Sequence, residues 1–128
     1  MTPLVIAVDF DGTLAYSAWP EIGEPVPGAL ETLRQWRAEG HRLIVWTCRA
    51  GQELEACERW LIHHRVPYDA INANLPERIA YFGSDTRKIS ADLYIDDKAA
   101  GAPVDPVELW ALARKTVAQL SARDRGPV

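Results

Sequence analysis

The fold of this chain is decided by the segment LVIAVDFDGT, which runs from Leu4 to Thr13. Its first five residues are apolar with no polar alternation, which is typical of a strand buried on both faces of a parallel sheet. Asp9 and Asp11 follow at the end of that strand, and Gly12 then allows a sharp turn. Carboxylates this close repel each other unless a cation, a shared proton or a chemical role accounts for them. Because ligands bind at the carboxyl ends of parallel strands, the segment predicts a functional site, although an Asp-Gly dipeptide alone also suits an ordinary turn.

The composition indicates one soluble globular domain, which we place at residues 1–122, with a flexible tail at residues 123–128. A net charge of −4 is unfavourable for a nucleic-acid-binding surface. Cys48 and Cys57 have no zinc-site spacing, and the apolar run at residues 4–8 is too short for a signal peptide or a membrane span. We therefore expect reduced thiols, a cytoplasmic location and no membrane partner.

The remaining chain alternates between apolar strand patterns and helical patterns. Residues 14–27 are predicted to be a loop without regular period, in which Tyr16 and Trp19 either form a lip over the site or pack at the domain edge. Helices are expected at residues 29–39, 51–64 and 77–82, and from 105–106 onward. Further strands are expected at residues 43–46, 69–71 and 91–95.

This order predicts a doubly wound α/β domain, because crossovers between parallel strands are right-handed. If the fourth strand lies beside the first, Asp9, Asp11, Asp96 and Asp97 meet in one crevice, with Thr47 one strand away. Four carboxylates together require a cation, and ligation by oxygen alone favours Mg²⁺ over zinc. The sequence therefore predicts a magnesium site.

Several neighbouring residues are candidates for holding an anion beside that ion. The hydroxyl of Thr47 suits a phosphate oxygen, although an N-cap role is the simpler alternative for a lone threonine. The helix that opens after Thr47 points its N-terminus toward the same edge, and we treat Cys48 as part of the wall. Lys88 precedes the fourth strand, and Lys98 competes with it for the same cationic role.

The chain resembles the haloacid dehalogenase-like superfamily of phosphohydrolases, whose four motifs it matches in order. The matching residues are the segment from Asp9 to Thr13, then Thr47, then Lys88, and then the pair Asp96-Asp97. The resemblance spans nearly the whole chain. It implies a Rossmann-like, three-layer α/β/α core. The segments at residues 14–27 and 51–87 are too short for the cap domain of many relatives, so a capless form with an open site is expected.

The resemblance also implies the chemistry. Asp9 would be the nucleophile and a Mg²⁺ ligand, and Asp11 the general acid and base, with its backbone carbonyl also reaching the metal. Asp96 and Asp97 would complete the metal site. Thr47 and Lys88 would hold the phosphoryl oxygens. Three neighbouring residues are further candidates for binding the substrate phosphate: Gly12, Cys48 and Arg49. A general acid at Asp11 favours phosphate esters over carbon–halogen bonds.

The main prediction is therefore a Mg²⁺-dependent phosphatase that acts on a small phosphorylated metabolite through an aspartyl-phosphate intermediate. An open site further suggests a homo-oligomer. Two alternatives remain at this point: a non-catalytic phosphate- or metal-binding module similar to a receiver domain, and a polynucleotide end-phosphatase, against which the acidic balance counts.

Overall fold

The computed structural model describes residues 2–123, and its centre is a four-stranded parallel sheet. The strands in chain order are β1 (Val5–Asp9), β2 (Ala15–Ala18), β3 (Glu21–Pro25), β4 (Arg42–Trp46), β5 (Ala70–Ile71) and β6 (Leu93–Ile95). The helices of the described chain are α1 (Ala29–Ala38), α2 (Gly51–His63), α3 (Pro76–Phe82) and α4 (Pro106–Ser121). The α/β class is confirmed. Residues 124–128, most of the predicted tail, lie outside the described residues.

The order of strands in the parallel sheet is β5-β4-β1-β6, so β1 has a neighbour on each side. Asp9 of β1 lies opposite Trp46 of β4, and Val8 lies opposite Ile95 of β6. The first and last strands of the sheet along the chain are therefore adjacent, as the convergence of the acidic residues requires. Their carboxyl ends open on the same edge.

Apolar side chains of β1 alternate between two clusters on opposite faces of the sheet. Ile6 and Val8 belong to the larger cluster, which buries Trp36 of α1, Leu61 of α2 and Trp110 of α4. The smaller cluster contains side chains of the other face of β1 and β4 together with residues from the β5–β6 segment: Val5, Ala7, Ile44, Leu75, Ile89 and Ala91. The predicted burial of β1 on both faces is confirmed.

The prediction of an irregular loop at residues 14–27 is wrong in one respect, because residues 15–25 form a two-stranded antiparallel hairpin. Trp19 and Pro20 connect β2 to β3, and a backbone bond from Val26 N to the carbonyl of Leu14 closes its base. The indole nitrogen of Trp60 on α2 donates to the carbonyl of Gly23 at 3.1 Å. The hairpin is thus fastened to the body of the domain beside the strand tips.

Helix ends follow the local chemistry of the sequence. The side chain of Asp105 accepts a hydrogen bond from Val107 N at 3.0 Å and so caps the N-terminus of α4, where the sequence predicted the helix to begin. Within residues 2–123, none of the helices has both the length and the apolar character needed to cross a membrane.

Candidate active site

The carboxyl ends of β1, β4 and β6 surround a cleft of about 470 Å³. Asp9 ends β1, Thr47 follows β4, and Asp96 follows β6. Seven residues predicted for the site line the cleft: Asp9, Asp11, Gly12, Thr47, Cys48, Asp96 and Asp97. Ser17, Trp19 and Lys98 line it with them. The predicted convergence of residues from separate strands is therefore confirmed.

Asp9, Asp96 and Asp97 form the acidic centre of the cleft. One carboxylate oxygen from each lies within 4.8 Å of the other two, a spacing that suits a single cation. Oδ1 of Asp97 is buried and has no hydrogen-bond partner among the described residues, although a buried carboxylate oxygen is normally paired. Three oxygen donors from separate carboxylates, beside a buried carboxylate oxygen that has no partner among the described residues, fit a hard dication such as Mg²⁺.

The electrostatics of Asp9 indicate the same need for a cation. Burial, the adjoining Asp97 carboxyl and the charge of Asp96 together raise the pKa of Asp9 to about 8, and a hydrogen bond from Thr13 only partly offsets them. A carboxylate with such a pKa is largely protonated at pH 7 unless a positive charge arrives. A bound dication would reverse the effect, because an opposite charge favours the ionised form.

Thr13 joins the two acidic strand tips. Its hydroxyl donates to Oδ2 of Asp9 at 3.2 Å and accepts from the backbone N–H of Asp97 at the same distance. The backbone carbonyl of Thr13 accepts from the indole nitrogen of Trp110 at 2.8 Å, which fixes the turn from beneath. No role of its own was predicted for Thr13, although its place in the motif from Asp9 to Thr13 was a signal.

Gly12 is required here for two reasons. Its φ of +80° is a left-handed conformation that side chains disfavour. A Cβ atom at this position would lie 2.5 Å from Oδ2 of Asp97. Gly12 lines the cleft as predicted, and its main effect is to let Asp97 approach the turn.

Asp11 lies in the cleft but outside the acidic cluster, because Arg49 holds its carboxylate. Nε of Arg49 donates to Oδ2 at 2.9 Å, and a terminal nitrogen donates to Oδ1 at 2.8 Å. Burial would raise the pKa of Asp11, but the hydrogen bonds and charge of Arg49 outweigh it, so the pKa lies below its usual value. Among side chains, the predicted metal set is thus reduced to Asp9, Asp96 and Asp97.

Arg49 needs correction as a phosphate-binding candidate. Its side chain is fully buried, and it is not among the residues that line the cleft. Arg49 was expected to bind the phosphate of the substrate. The anion that it binds is instead Asp11, 38 residues earlier in the chain.

Thr47 and Cys48 lie where the sequence placed them, at the wall of the cleft. The hydroxyl oxygen of Thr47 accepts from Arg49 N at 3.1 Å, and its own backbone N–H donates to Oδ1 of Asn72 at 2.8 Å. The hydroxyl proton of Thr47 therefore remains available for an acceptor in the cleft. Asn72, at a φ of +52°, follows β5 and supports the end of β4 through this bond.

The two lysines considered for phosphate binding line different cavities. Lys98 lines the cleft, and its backbone N–H donates to Oδ1 of Asp96 at 2.9 Å. Lys88 lines a different cavity of about 220 Å³, where its ammonium group lies 5.1 Å from the centre of the Tyr94 ring. The predicted phosphate contact of Lys88 has no support in this arrangement, and the geometry favours Lys98.

Comparisons with known proteins identify relatives without naming an activity. No family model and no curated protein matches the chain. A conserved protein from Bacteroides thetaiotaomicron is 33% identical over 97% of this chain and 100% of its own, with a TM-score of 0.75. A target protein from Vibrio cholerae is similar in fold alone, at 24% identity over 98% of this chain and 100% of its own, with a TM-score of 0.50. The chain belongs to the same protein family as the Bacteroides protein.

Proposed function

We propose that this protein is a capless haloacid dehalogenase-like phosphatase that hydrolyses a phosphate monoester with Mg²⁺ and forms an aspartyl phosphate on Asp9. The finer fold implied by this proposal is a doubly wound, three-layer α/β/α core. The strand order β5-β4-β1-β6 and the apolar clusters on both faces of the sheet support it.

The observation that carries the proposal is the acidic centre of the cleft. Asp9, Asp96 and Asp97 present oxygens within 4.8 Å of one another, and one buried oxygen of Asp97 has no partner among the described residues. These residues would hold Mg²⁺. When bound, the ion would keep Asp9 ionised and offset the repulsion between its carboxylate and a phosphate dianion.

The residues of the chain then divide the reaction between them. A carboxylate oxygen of Asp9 forms a bond to phosphorus as the bond to the leaving oxygen breaks, and Asp11 gives that oxygen a proton. In the second step water attacks phosphorus, its proton returns to Asp11, and Asp9 leaves with its bonding electrons. Thr47 and Lys98, which both line the cleft, would bind the phosphoryl oxygens.

Asp11 has to carry a proton in the first step, although Arg49 keeps it ionised in the free protein. A bound phosphate dianion works in the opposite direction, because a like charge raises the pKa of a neighbouring carboxyl. The ionised form suits the second step directly. The substrate itself therefore helps to prepare Asp11 for the first step.

Turnover of 4-nitrophenyl phosphate and of a panel of phosphorylated metabolites, with and without Mg²⁺, tests the proposal. We expect activity that requires Mg²⁺ and is lost in Asp9→Asn. Asp85→Asn is a matched control, because Asp85 lies outside the cleft and an asparagine still accepts the bond from Asn74.

Activity that survives Asp9→Asn would exclude Asp9 as the nucleophile. No turnover of any ester would favour a binding module, and turnover confined to a 3′-phosphorylated oligonucleotide would favour an end-phosphatase. The proposed homo-oligomer is tested separately by sedimentation, in which a fully active monomer would contradict it.

A further inference from the structure

Arg49 is the most completely engaged polar side chain beside the cleft. Its three nitrogens take part in five hydrogen bonds, two to the Asp11 carboxylate, two to the carbonyl of Pro20 and one to the carbonyl of Glu53. The side chain has no solvent exposure. A buried guanidinium with this many partners has one orientation only, because any rotation would leave a charged donor unpaired.

The faces of the guanidinium are also covered. Its central carbon lies 4.7 Å from the centre of the Trp19 ring and 5.6 Å from that of Phe10, both within cation–π range. Trp19 and Pro20 form the turn of the hairpin, and Trp19 lines the cleft while remaining 63% exposed. Arg49 therefore contacts the rim of the cleft and the carboxylate inside it at once.

We propose that Arg49 is a positioning residue that fixes Asp11 and the Trp19–Pro20 turn as one unit on the side of the cleft where the leaving group departs. This inference rests on the proposed function, in which Asp11 exchanges a proton with the leaving oxygen and with water. Arg49 touches neither substrate nor metal. Its effect passes through the two parallel hydrogen bonds that orient the Asp11 carboxylate.

Arg49→Lys tests this role, because the substitution keeps the positive charge and removes the guanidinium group that binds both carboxylate oxygens. An ammonium cannot bind both carboxylate oxygens side by side in the guanidinium geometry, and it cannot reach the carbonyl of Pro20 at the same time. Asp11 would then lose its fixed direction. A displacement of about 1 Å at a catalytic group costs up to roughly 100-fold in rate.

The experiment compares two esters that differ in their need for a proton. Glycerol phosphate has a poor leaving group that requires protonation, whereas 4-nitrophenolate leaves without it. We compare kcat/KM, which reports only the steps up to the aspartyl phosphate, because the later attack of water also uses Asp11 and is common to both esters. We expect Arg49→Lys to lower kcat/KM roughly tenfold or more for glycerol phosphate and at most about threefold for 4-nitrophenyl phosphate. The same substitution should have no further effect in an Asp11→Asn background, because its effect acts through Asp11.

Arg78→Lys is the matched control for loss of a buried arginine–aspartate pair. Arg78 lies 3.0 Å from Asp92, and neither residue lines the cleft. It should reduce thermal stability without changing the ratio of the two activities. Equal losses on both esters in Arg49→Lys, or additive losses with Asp11→Asn, would overturn the positioning role.

The coupling of Asp11 to the hairpin is tested without any activity. The indole N–H signal of Trp19, assigned in a ¹⁵N spectrum with Trp19→Phe, should shift in both Arg49→Lys and Asp11→Asn and remain in place in Arg78→Lys. An unshifted signal in Asp11→Asn would overturn the inference even where the protein hydrolyses phosphate esters. If wild-type protein hydrolyses no ester of the whole panel, the proposed function fails, and the positioning of Asp11 for that reaction fails with it.

Discussion

Binding of Mg²⁺ should release a proton from Asp9, and the affinity should therefore depend on pH. The cation-free protein holds Asp9 at a pKa of about 8 because of burial and the neighbouring Asp97 and Asp96 carboxylates. At pH 6, about one molecule in a hundred carries an ionised Asp9. Because a metal ligand must be deprotonated, the apparent Kd for Mg²⁺ should be about 100-fold weaker at pH 6 than above pH 9.

The stability of the metal-free protein should change in the opposite direction. The pKa of Asp9 lies above its ordinary value of 3.8, so between about pH 4 and pH 8 the folded state binds the extra proton. The contribution of Asp9 protonation to the unfolding free energy is thus fully present below pH 4. It is lost as the pH rises to about 8, at no more than ~1.4 kcal/mol per pH unit. Saturating Mg²⁺ should remove that loss.

Calorimetric titration at pH 6, 7 and 9, in buffers of different ionisation enthalpy, measures the affinity and the number of protons released. We expect close to one proton at pH 7 and almost none at pH 9. Asp9→Asn should abolish the release, whereas Asp85→Asn should leave it unchanged. A Kd that is the same at pH 6 and pH 9, with no proton released, would refute the inference that Asp9 loses a proton when Mg²⁺ binds beside Asp96 and Asp97.

Three further substitutions follow from the geometry of the cleft. Gly12→Ala places a Cβ 2.5 Å from an oxygen of Asp97 at a φ of +80°. It should lower the unfolding free energy by roughly 1–3 kcal/mol and weaken Mg²⁺ binding. Wild-type values in a denaturant titration and in a Mg²⁺ titration would contradict this. Lys98→Ala should raise KM for phosphate esters while Lys88→Ala does not, because only Lys98 lines the cleft, and the reverse result would restore Lys88 as the phosphate ligand. Trp19→Ala should raise KM roughly two- to tenfold for an aryl phosphate, since stacking contributes about 0.5–1.5 kcal/mol, and an unchanged KM would show that the exposed indole does not meet the substrate.

The parallel sheet and the meeting of its acidic strand tips were predictable from the sequence. The run before Asp9 is apolar throughout, and the spacing of strands and helices permits few arrangements of a parallel sheet. Once β1 and β6 are neighbours, Asp9 and Asp96 must share an edge. Patterns of this kind are strong because each residue of the strand contributes to them.

The hairpin and the two basic residues were harder to predict for a physical reason. β3 reads Glu-Ile-Gly-Glu-Pro, with no alternation of apolar side chains, and its turn is Trp19–Pro20 rather than a glycine-containing pair. It is held by long-range contacts, such as that from Trp60 to Gly23. The direction of Lys88 likewise depends on Tyr94 and on the packing of its loop, which sequence spacing does not contain.

The pairing of Arg49 with Asp11 changes how the charge of the site should be counted. Four carboxylates surround the cleft, but Arg49 neutralises Asp11 from within the protein, which leaves three for the metal. A bound dication and the ammonium of Lys98 together balance those three charges. The site so assembled is close to neutral and can admit a phosphate dianion, whereas four uncompensated acids would repel it. In the proposed reaction, a buried arginine that does not line the cleft would thus help an acidic cleft to accept an anionic substrate.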